Sequence, residues 1–403
     1  MLKKLTLIKR HSTMLFVVCL LGFPDRIYAG LGSSDFQLNG FFTQSYIKTD
    51  NNNFLGNSTG KGSIDYREMG INASVKLSSR LQFASQLLSR YAGKTDSGDV
   101  KLDFLLADYR MLDKRDYGLG ISVGRVKNPF GFYNETRDVS FTRESIILPQ
   151  SIYFERTRDI SVSSDGIHFY AHKQTRLGLV NGRMVTAIPR VTDLNTEYAL
   201  LGDNRPGMFI AKPSFVGRLL FESNDSRFVA AYSHVGMNMD YRPAASEGGG
   251  IGDVNFEMKI LSLKYNLMRW SFTSEYAQRK ISANAIAYIP AVVNNKTGES
   301  FYLQSIYRFN HKWRMIARYD VLYSDKNDRD GEAVAGLIPI MNYSRYAKDI
   351  MLGIQFTVNR HWMTRLELHR IDGTAWLPKQ DNPDASKTVQ KWDMLNASIS
   401  YRF

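Results

Sequence analysis

Apolar and polar positions alternate with a period of two along almost the whole chain. Ile71, Ala73, Val75 and Leu77 alternate with Gly70, Asn72, Ser74 and Lys76. Tyr117, Leu119, Ile121 and Val123 alternate with Gly118, Gly120, Ser122 and Gly124. The last segment runs Leu395, Ala397, Ile399, Tyr401, Phe403. Such alternation gives a strand one apolar face and one face toward water or polar groups. Helical spacing is not sustained anywhere after residue 30. The pattern predicts strands near 35–48, 64–77, 81–91, 100–111, 117–125, 166–173, 175–187, 214–223, 227–237, 254–266, 269–280, 299–309, 313–323, 349–358, 361–371 and 392–403.

The connections alternate in length. Gaps such as 49–63, 126–165 and 324–348 follow odd-numbered strands, and turns of a few residues, such as Asn224-Asp225-Ser226, follow even-numbered ones. Aromatic residues stand near segment ends, including Trp270, Trp313, Trp362 and Tyr401. A soluble sandwich has no reason to show either feature. A transmembrane antiparallel β-barrel of about sixteen strands requires both, with its termini at the short-turn end. The fold class expected is therefore all-β.

The first 29 residues read differently. Lys3, Lys4, Lys9 and Arg10 precede an apolar run, Met14–Phe23, and Ala29 supplies a small residue at a cleavage site. This predicts a secretory signal peptide over 1–29, ahead of a barrel over 30–403. The only cysteine, Cys19, lies in that leader, so the mature chain has no disulfide, thiolate zinc site or thiol nucleophile. The C-terminal Phe403 on an alternating strand resembles the signal of Gram-negative outer-membrane proteins, and the expected location is the outer membrane.

A sixteen-stranded barrel leaves an aqueous lumen, so function depends on what fills it. No room for a globular plug precedes the first strand. The obstruction expected is the third loop, 126–165, folded into the lumen as a constriction. That loop holds five bases, Lys127, Arg137, Arg143, Arg156 and Arg158, and six acids. It also holds apolar residues, among them Phe130, Phe132, Ile146, Ile147, Leu148 and Tyr153, that need a wall to pack against. If the apolar parity faces outward, the inward bases (Arg90, Arg110, Arg218, Lys259, Arg279, Arg314, Arg318 and Arg365 among them) outnumber the inward acids (Glu68, Asp108, Glu257, Glu275, Asp320, Glu367 and one other). A positive lumen concentrates anions. Arg110, Arg218, Arg314, Arg318 and Arg365 are the expected wall charges.

Gly124-Arg125-Val126-Lys127-Asn128-Pro129-Phe130-Gly131, then Ser140 to Glu144, then Arg156 to Ile160, resemble the phosphate-selective porin family. The order Arg143-Glu144 reverses the family's Glu-Arg, and Asp159 replaces its Asn. The resemblance covers about 115–170. It implies a trimeric sixteen-stranded channel with an inward third loop, and only Arg125, Lys127 and Arg158 carry over as basic pore residues. Arg125 thus joins the five loop bases as a pore candidate.

Enzymatic chemistry has little support. His168 and His172 share a strand face but lack a third ligand, and Asp325 to Glu332 fails the pattern of a calcium loop. No metal, cofactor or catalytic residue is expected. The net charge of +13 is spread along strands, which argues against nucleic acid. The reading is a passive porin for small hydrophilic solutes, anion-preferring, suited to phosphate or small organic acids. Expected partners are small anionic solutes, outer-membrane lipid and lipopolysaccharide, and two further copies of the chain in a homotrimer. The alternative is a largely closed barrel whose surface loops serve a structural or adhesive role.

Overall fold

The computed structural model describes residues 35–191, 194–286 and 289–403; the signal peptide reading falls outside them. Seventeen strand segments form one antiparallel sheet. They are β1 (Phe36–Thr49), β2 (Arg67–Lys76), β3 (Leu81–Tyr91), β4 (Ser97–Asp113), β5 (Tyr117–Lys127), β6 (Ser163–Gln174), β7 (Gly178–Pro189), β8 (Met208–Ala211), β9 (Ser214–Ser223), β10 (Phe228–Arg242), β11 (Gly252–Asn266), β12 (Trp270–Asn284), β13 (Lys296–Arg308), β14 (Trp313–Tyr323), β15 (Tyr346–Thr357), β16 (Trp362–Gly373) and β17 (Lys391–Arg402). Segments β8 and β9 both pair with β10 and are two parts of one strand. Pro213, which has no N–H to give the ladder, lies at the break. The barrel therefore has sixteen strands, and each sequence-derived segment overlaps one of them.

The sheet closes where β1 pairs with both β2 and β17. Gly40 and Phe403 exchange both backbone hydrogen bonds at 3.2 and 3.0 Å, so the terminal residue completes the ladder. Closure removes the free edges of the sheet, which a bilayer cannot satisfy.

The alternation is inverted relative to a soluble protein. On β12, Trp270, Phe272 and Tyr276 are exposed while Ser271, Thr273 and Glu275 are buried. On β16, Leu366 and Leu368 are exposed while Arg365, Glu367 and His369 are buried. The exposed apolar faces form a lipid-facing belt. Aromatic rings edge it at the short-turn end, with Trp270 against Tyr307, Trp313 against Phe356, and Trp362 against Tyr401. Inside, small residues let neighbours lean inward: a Cβ on Gly120 would collide with the Tyr170 hydroxyl.

The region 188–213 departs from a plain connection. It carries a short helix, Leu194–Leu200, and the extra strand segment β8. No helix among the described residues is long and apolar enough to cross a membrane.

Candidate functional site

The segment 128–162 follows β5 and returns to β6 through three short helical turns and a short helix, Arg158–Val162. Asn128, Pro129 and Gly131 start it; Gly131 has φ of +57°, a conformation glycine adopts freely. Its hydrogen-bond partners are side chains on the inner parity of strands around the ring. Glu275 on β12 accepts from the Phe132 N–H (3.0 Å) and the Tyr153 hydroxyl (2.6 Å). Asp320 on β14 accepts from the Gln150 N–H (2.7 Å), and Glu367 on β16 from the Ile146 N–H (2.6 Å). Arginines take the carbonyls: Arg218 donates to Gly131 O (2.8 Å), Arg318 to Ile147 O (3.1 Å) and Arg365 to Arg143 O (2.5 Å). An irregular backbone away from water must find such partners. Its apolar residues pack on the same walls. Phe130, Tyr133, Leu148, Ile152 and Tyr153 form one buried cluster with Val235, Met258, Ile260 and Tyr302.

The basic residues of this segment are mostly paired. Arg137 meets Glu155 at 2.7 Å, and Arg90 on β3 meets the other oxygen of Glu155 at 2.6 Å. Arg143 pairs with Glu68 on β2, and Arg158 with Asp138. Lys127 bridges Asp103 and Asp138, both at 2.6 Å. Arg314 pairs with Glu144 (2.7 Å), and Glu135 takes Arg218 (2.6 Å) and Arg183. Among the described residues Arg156 has no carboxylate partner; it donates to Ala375 O at 3.1 Å and stacks over Phe154.

Three placements differ from the sequence reading. Arg125 is not directed into the barrel. It shares the outward parity of Leu119 and Val123 and is bound bidentately by Asp165 of β6 at 2.7 and 3.0 Å. Glu257 and Lys259 are also outward, paired with each other at 2.9 Å, because β11 carries apolar residues on both parities and Met258 and Ile260 take the inside. One acid and one base move together, so this difference alone leaves the inward balance unaltered. Asp103, a lumen acid that alternation missed, is turned inward at a register shift between β3 and β4.

Several cavities adjoin the segment, two of them lined by charged side chains of the lower wall. One, of about 400 Å³, lies against β3–β7 and is lined by Asp108, Lys127, Glu135, His168, Tyr170 and Arg183, among others. The other, of about 320 Å³, opens at the short-turn end among Lys312, Arg314, Arg360 and Arg402. On the inner parity of that end stand Lys76, Arg110, Lys264, Arg308, Arg314 and Arg402, with Glu222 as the strand acid at that level. Arg110 pairs with Asp113 of its own strand. Among the described residues, Lys76, Lys264, Arg308 and Arg402 have no carboxylate within ion-pair distance. No group of three metal-ligating side chains comes together among the described residues.

No protein-family model and no curated protein matches the chain. Solved structures do. The outer membrane channel DcaP of Acinetobacter baumannii aligns at TM-score 0.57 and 10% identity over 93% of this chain and 99% of that one. The anion-selective porin from Comamonas acidovorans aligns at 0.57 and 10%, over 91% and 99%. OmpF of Salmonella typhi, solved with daunomycin, aligns at 0.55 and 13%, over 91% and 97%. At such identities the likeness is one of fold, and the fold is that of the outer-membrane porin barrel.

Proposed function

We propose that the chain is an outer-membrane porin that passes small hydrophilic solutes down their gradients and prefers anions. In this reading the segment 128–162 is folded into the lumen as its constriction. The cavity beside Lys127, Glu135 and Arg183 belongs to the passage, and the short-turn end faces the periplasm. The observation that carries the anion preference is the set of unpaired bases, Lys76, Lys264, Arg308 and Arg402, at the short-turn mouth. Fixed positive charge at a pore mouth raises the local concentration of anions and lowers that of cations. Kinship with the phosphate-selective porins rests on the sequence resemblance at Gly124–Gly131, Ser140–Glu144 and Arg156–Ile160, and Arg125 within it faces outward and is held by Asp165, so phosphate itself is not the assigned solute. A trimer is proposed by analogy of fold.

A second reading has support in the many bonds that hold the segment to the wall: a barrel shut by that segment, serving through its surface loops. The reversal potential of the purified protein in a planar bilayer under a KCl gradient separates the two. A chloride-directed potential is the expected result. Absence of conductance supports the closed barrel, and a cation-directed potential overturns the anion preference.

A further inference from the structure

Above the constriction, toward the long-loop end, the barrel holds a third cavity of about 280 Å³ between the segment 128–162 and strands β10–β14. That volume is near the lower end of small-molecule sites. Its wall is largely apolar, with Met237, Met239, Phe256 and Met258 from the barrel and Phe130 and Phe154 from the segment. Three guanidiniums stand in this wall: Arg156, Arg279 on β12, and Arg345 from the connection after β14.

These three differ from most arginines of the interior; Arg318 and Arg365 also lack a carboxylate among the described residues, but each gives two hydrogen bonds to the segment 128–162. Arg90, Arg137, Arg143, Arg158 and Arg218 each hold a carboxylate. Among the described residues no carboxylate lies within ion-pair distance of Arg156, Arg279 or Arg345. Arg156 and Arg279 instead lie over the same Phe154 ring, at 5.5 and 5.9 Å from its centre. The Arg279 Nε is buried and has no acceptor. Burial and then the neighbouring Arg345 push the Arg156 guanidinium down to about 10, which reports charge held without compensation. The acids nearest in field are Asp320 behind Arg279, and Asp325 and Asp328 near Arg345; Asp320 is engaged by Gln150 and Ser151, and Asp325 by Lys296.

Unpaired cations in an apolar cavity are costly, and a ligand carboxylate would supply the missing charge. The same ligand must offer an apolar body to the methionine and phenylalanine wall, where thioether–ring contacts favour an aromatic one. We propose that this cavity binds an aromatic monocarboxylate, its carboxylate on Arg156 and Arg279 with Arg345 alongside and its ring among Met237, Met258 and Phe256. That such an acid then crosses the barrel rests on the porin reading; its binding does not.

The test is calorimetric binding of benzoate to the full chain in lipid nanodiscs, with acetate and benzyl alcohol as partial mimics. Benzoate is expected to bind at least tenfold more tightly than either, and Arg156→Gln/Arg279→Gln to weaken it tenfold or more. Arg345→Gln, in the half-buried connection after β14, is expected to weaken it less and guards against misfolding of the double variant. Equal affinity for acetate overturns the apolar half of the site, and equal affinity for benzyl alcohol the cationic half. Benzoate binding unchanged in all variants, or absent from a protein that conducts normally, overturns the site and leaves the porin reading standing. Benzoate binding to a protein without conductance overturns the porin reading alone.

Discussion

Glu275 is the point at which the segment 128–162 can be released from the wall with one substitution. It is fully buried on β12 and, among the described residues, has no cationic partner; four donors surround it. The Tyr153 and Ser262 hydroxyls reach it at 2.6 Å, the Tyr302 hydroxyl at 2.9 Å and the Phe132 N–H at 3.0 Å. Glu275→Ala deprives the three hydroxyls of their acceptor, while the Phe132 N–H keeps the Tyr153 oxygen at 2.7 Å. An orphaned buried donor costs about 1–3 kcal/mol, so the three together would cost roughly 3–9 kcal/mol. The segment avoids that cost by undocking, which lets water reach the Phe132 amide and the tyrosines. Glu275→Gln keeps one carbonyl oxygen, and the hydroxyls can rotate to accept from its amide, for a loss of about 1–2 kcal/mol. Single-channel conductance should therefore rise in the order wild type, Gln, Ala, with opening and closing noise in the Ala variant. Limited proteolysis should cut the Ala variant within 128–162. An Ala variant with wild-type conductance and an uncut segment would refute the claim that this carboxylate holds the segment in place.

The unpaired bases at the short-turn mouth set ion preference in the proposed channel, so Arg308→Gln with Arg402→Gln should lower the anion-to-cation permeability ratio, whereas Arg125→Ala should leave it unchanged; the reverse outcome returns Arg125 to the pore. Burial alone would raise the Glu135 carboxyl, but Arg218 and Arg183 overcome it and hold it below its ordinary 4.5. Its contribution to docking is complete above that ordinary value and is lost as pH falls through the lowered one. Conductance should be insensitive to this link from pH 5 upward and should change only below 4.5, a step absent from Glu135→Gln; a step near neutral pH in wild type alone would disprove the assignment.

The wall of the barrel was legible in the sequence because lipid and water impose opposite demands on alternate residues. Ile350, Leu352 and Ile354 on β15 could face only lipid. The side of a charge was legible only where one parity was polar. On β11, Phe256, Met258 and Ile260 are apolar because they pack on the segment 128–162, and Leu261 and Leu263 because they meet lipid. Counting apolar residues therefore misplaced Glu257 and Lys259. Arg125 shows the limit of a motif: the motif falls on the right strand, and the pleat aims that residue outward. The bases of the third loop were found by composition, but their partners, Glu68, Asp103 and Glu155, are fixed by contacts between segments far apart in the chain. The uncompensated trio is the residue of that same accounting. Arg156, Arg279 and Arg345 come from three separate elements, and no local pattern marks them as meeting without acids around one cavity.

Those pairings decide how selectivity must behave. Around the segment 128–162, Arg218, Arg318 and Arg365 give hydrogen bonds to backbone carbonyls, while Arg137, Arg143 and Arg158 face carboxylates. Little net positive charge is left there for a passing anion. Outside the cavity of Arg156, Arg279 and Arg345, the uncompensated charge of the proposed ion path stands at the short-turn mouth, where Lys76 and Arg402 are exposed to solvent. Exposed charge is screened over about 10 Å at 0.1 M salt and about 3 Å at 1 M. The permeability ratio should therefore be high in dilute KCl and fall toward unity as ionic strength approaches 1 M. Charges packed against the wall are shielded from the electrolyte and lose far less. A ratio that holds constant from 0.1 to 1 M KCl would place the selecting charge at the constriction and mean that some of its paired arginines are free in the working protein. A ratio that collapses, and is already low in Arg308→Gln/Arg402→Gln, puts the choice of ion at the mouth.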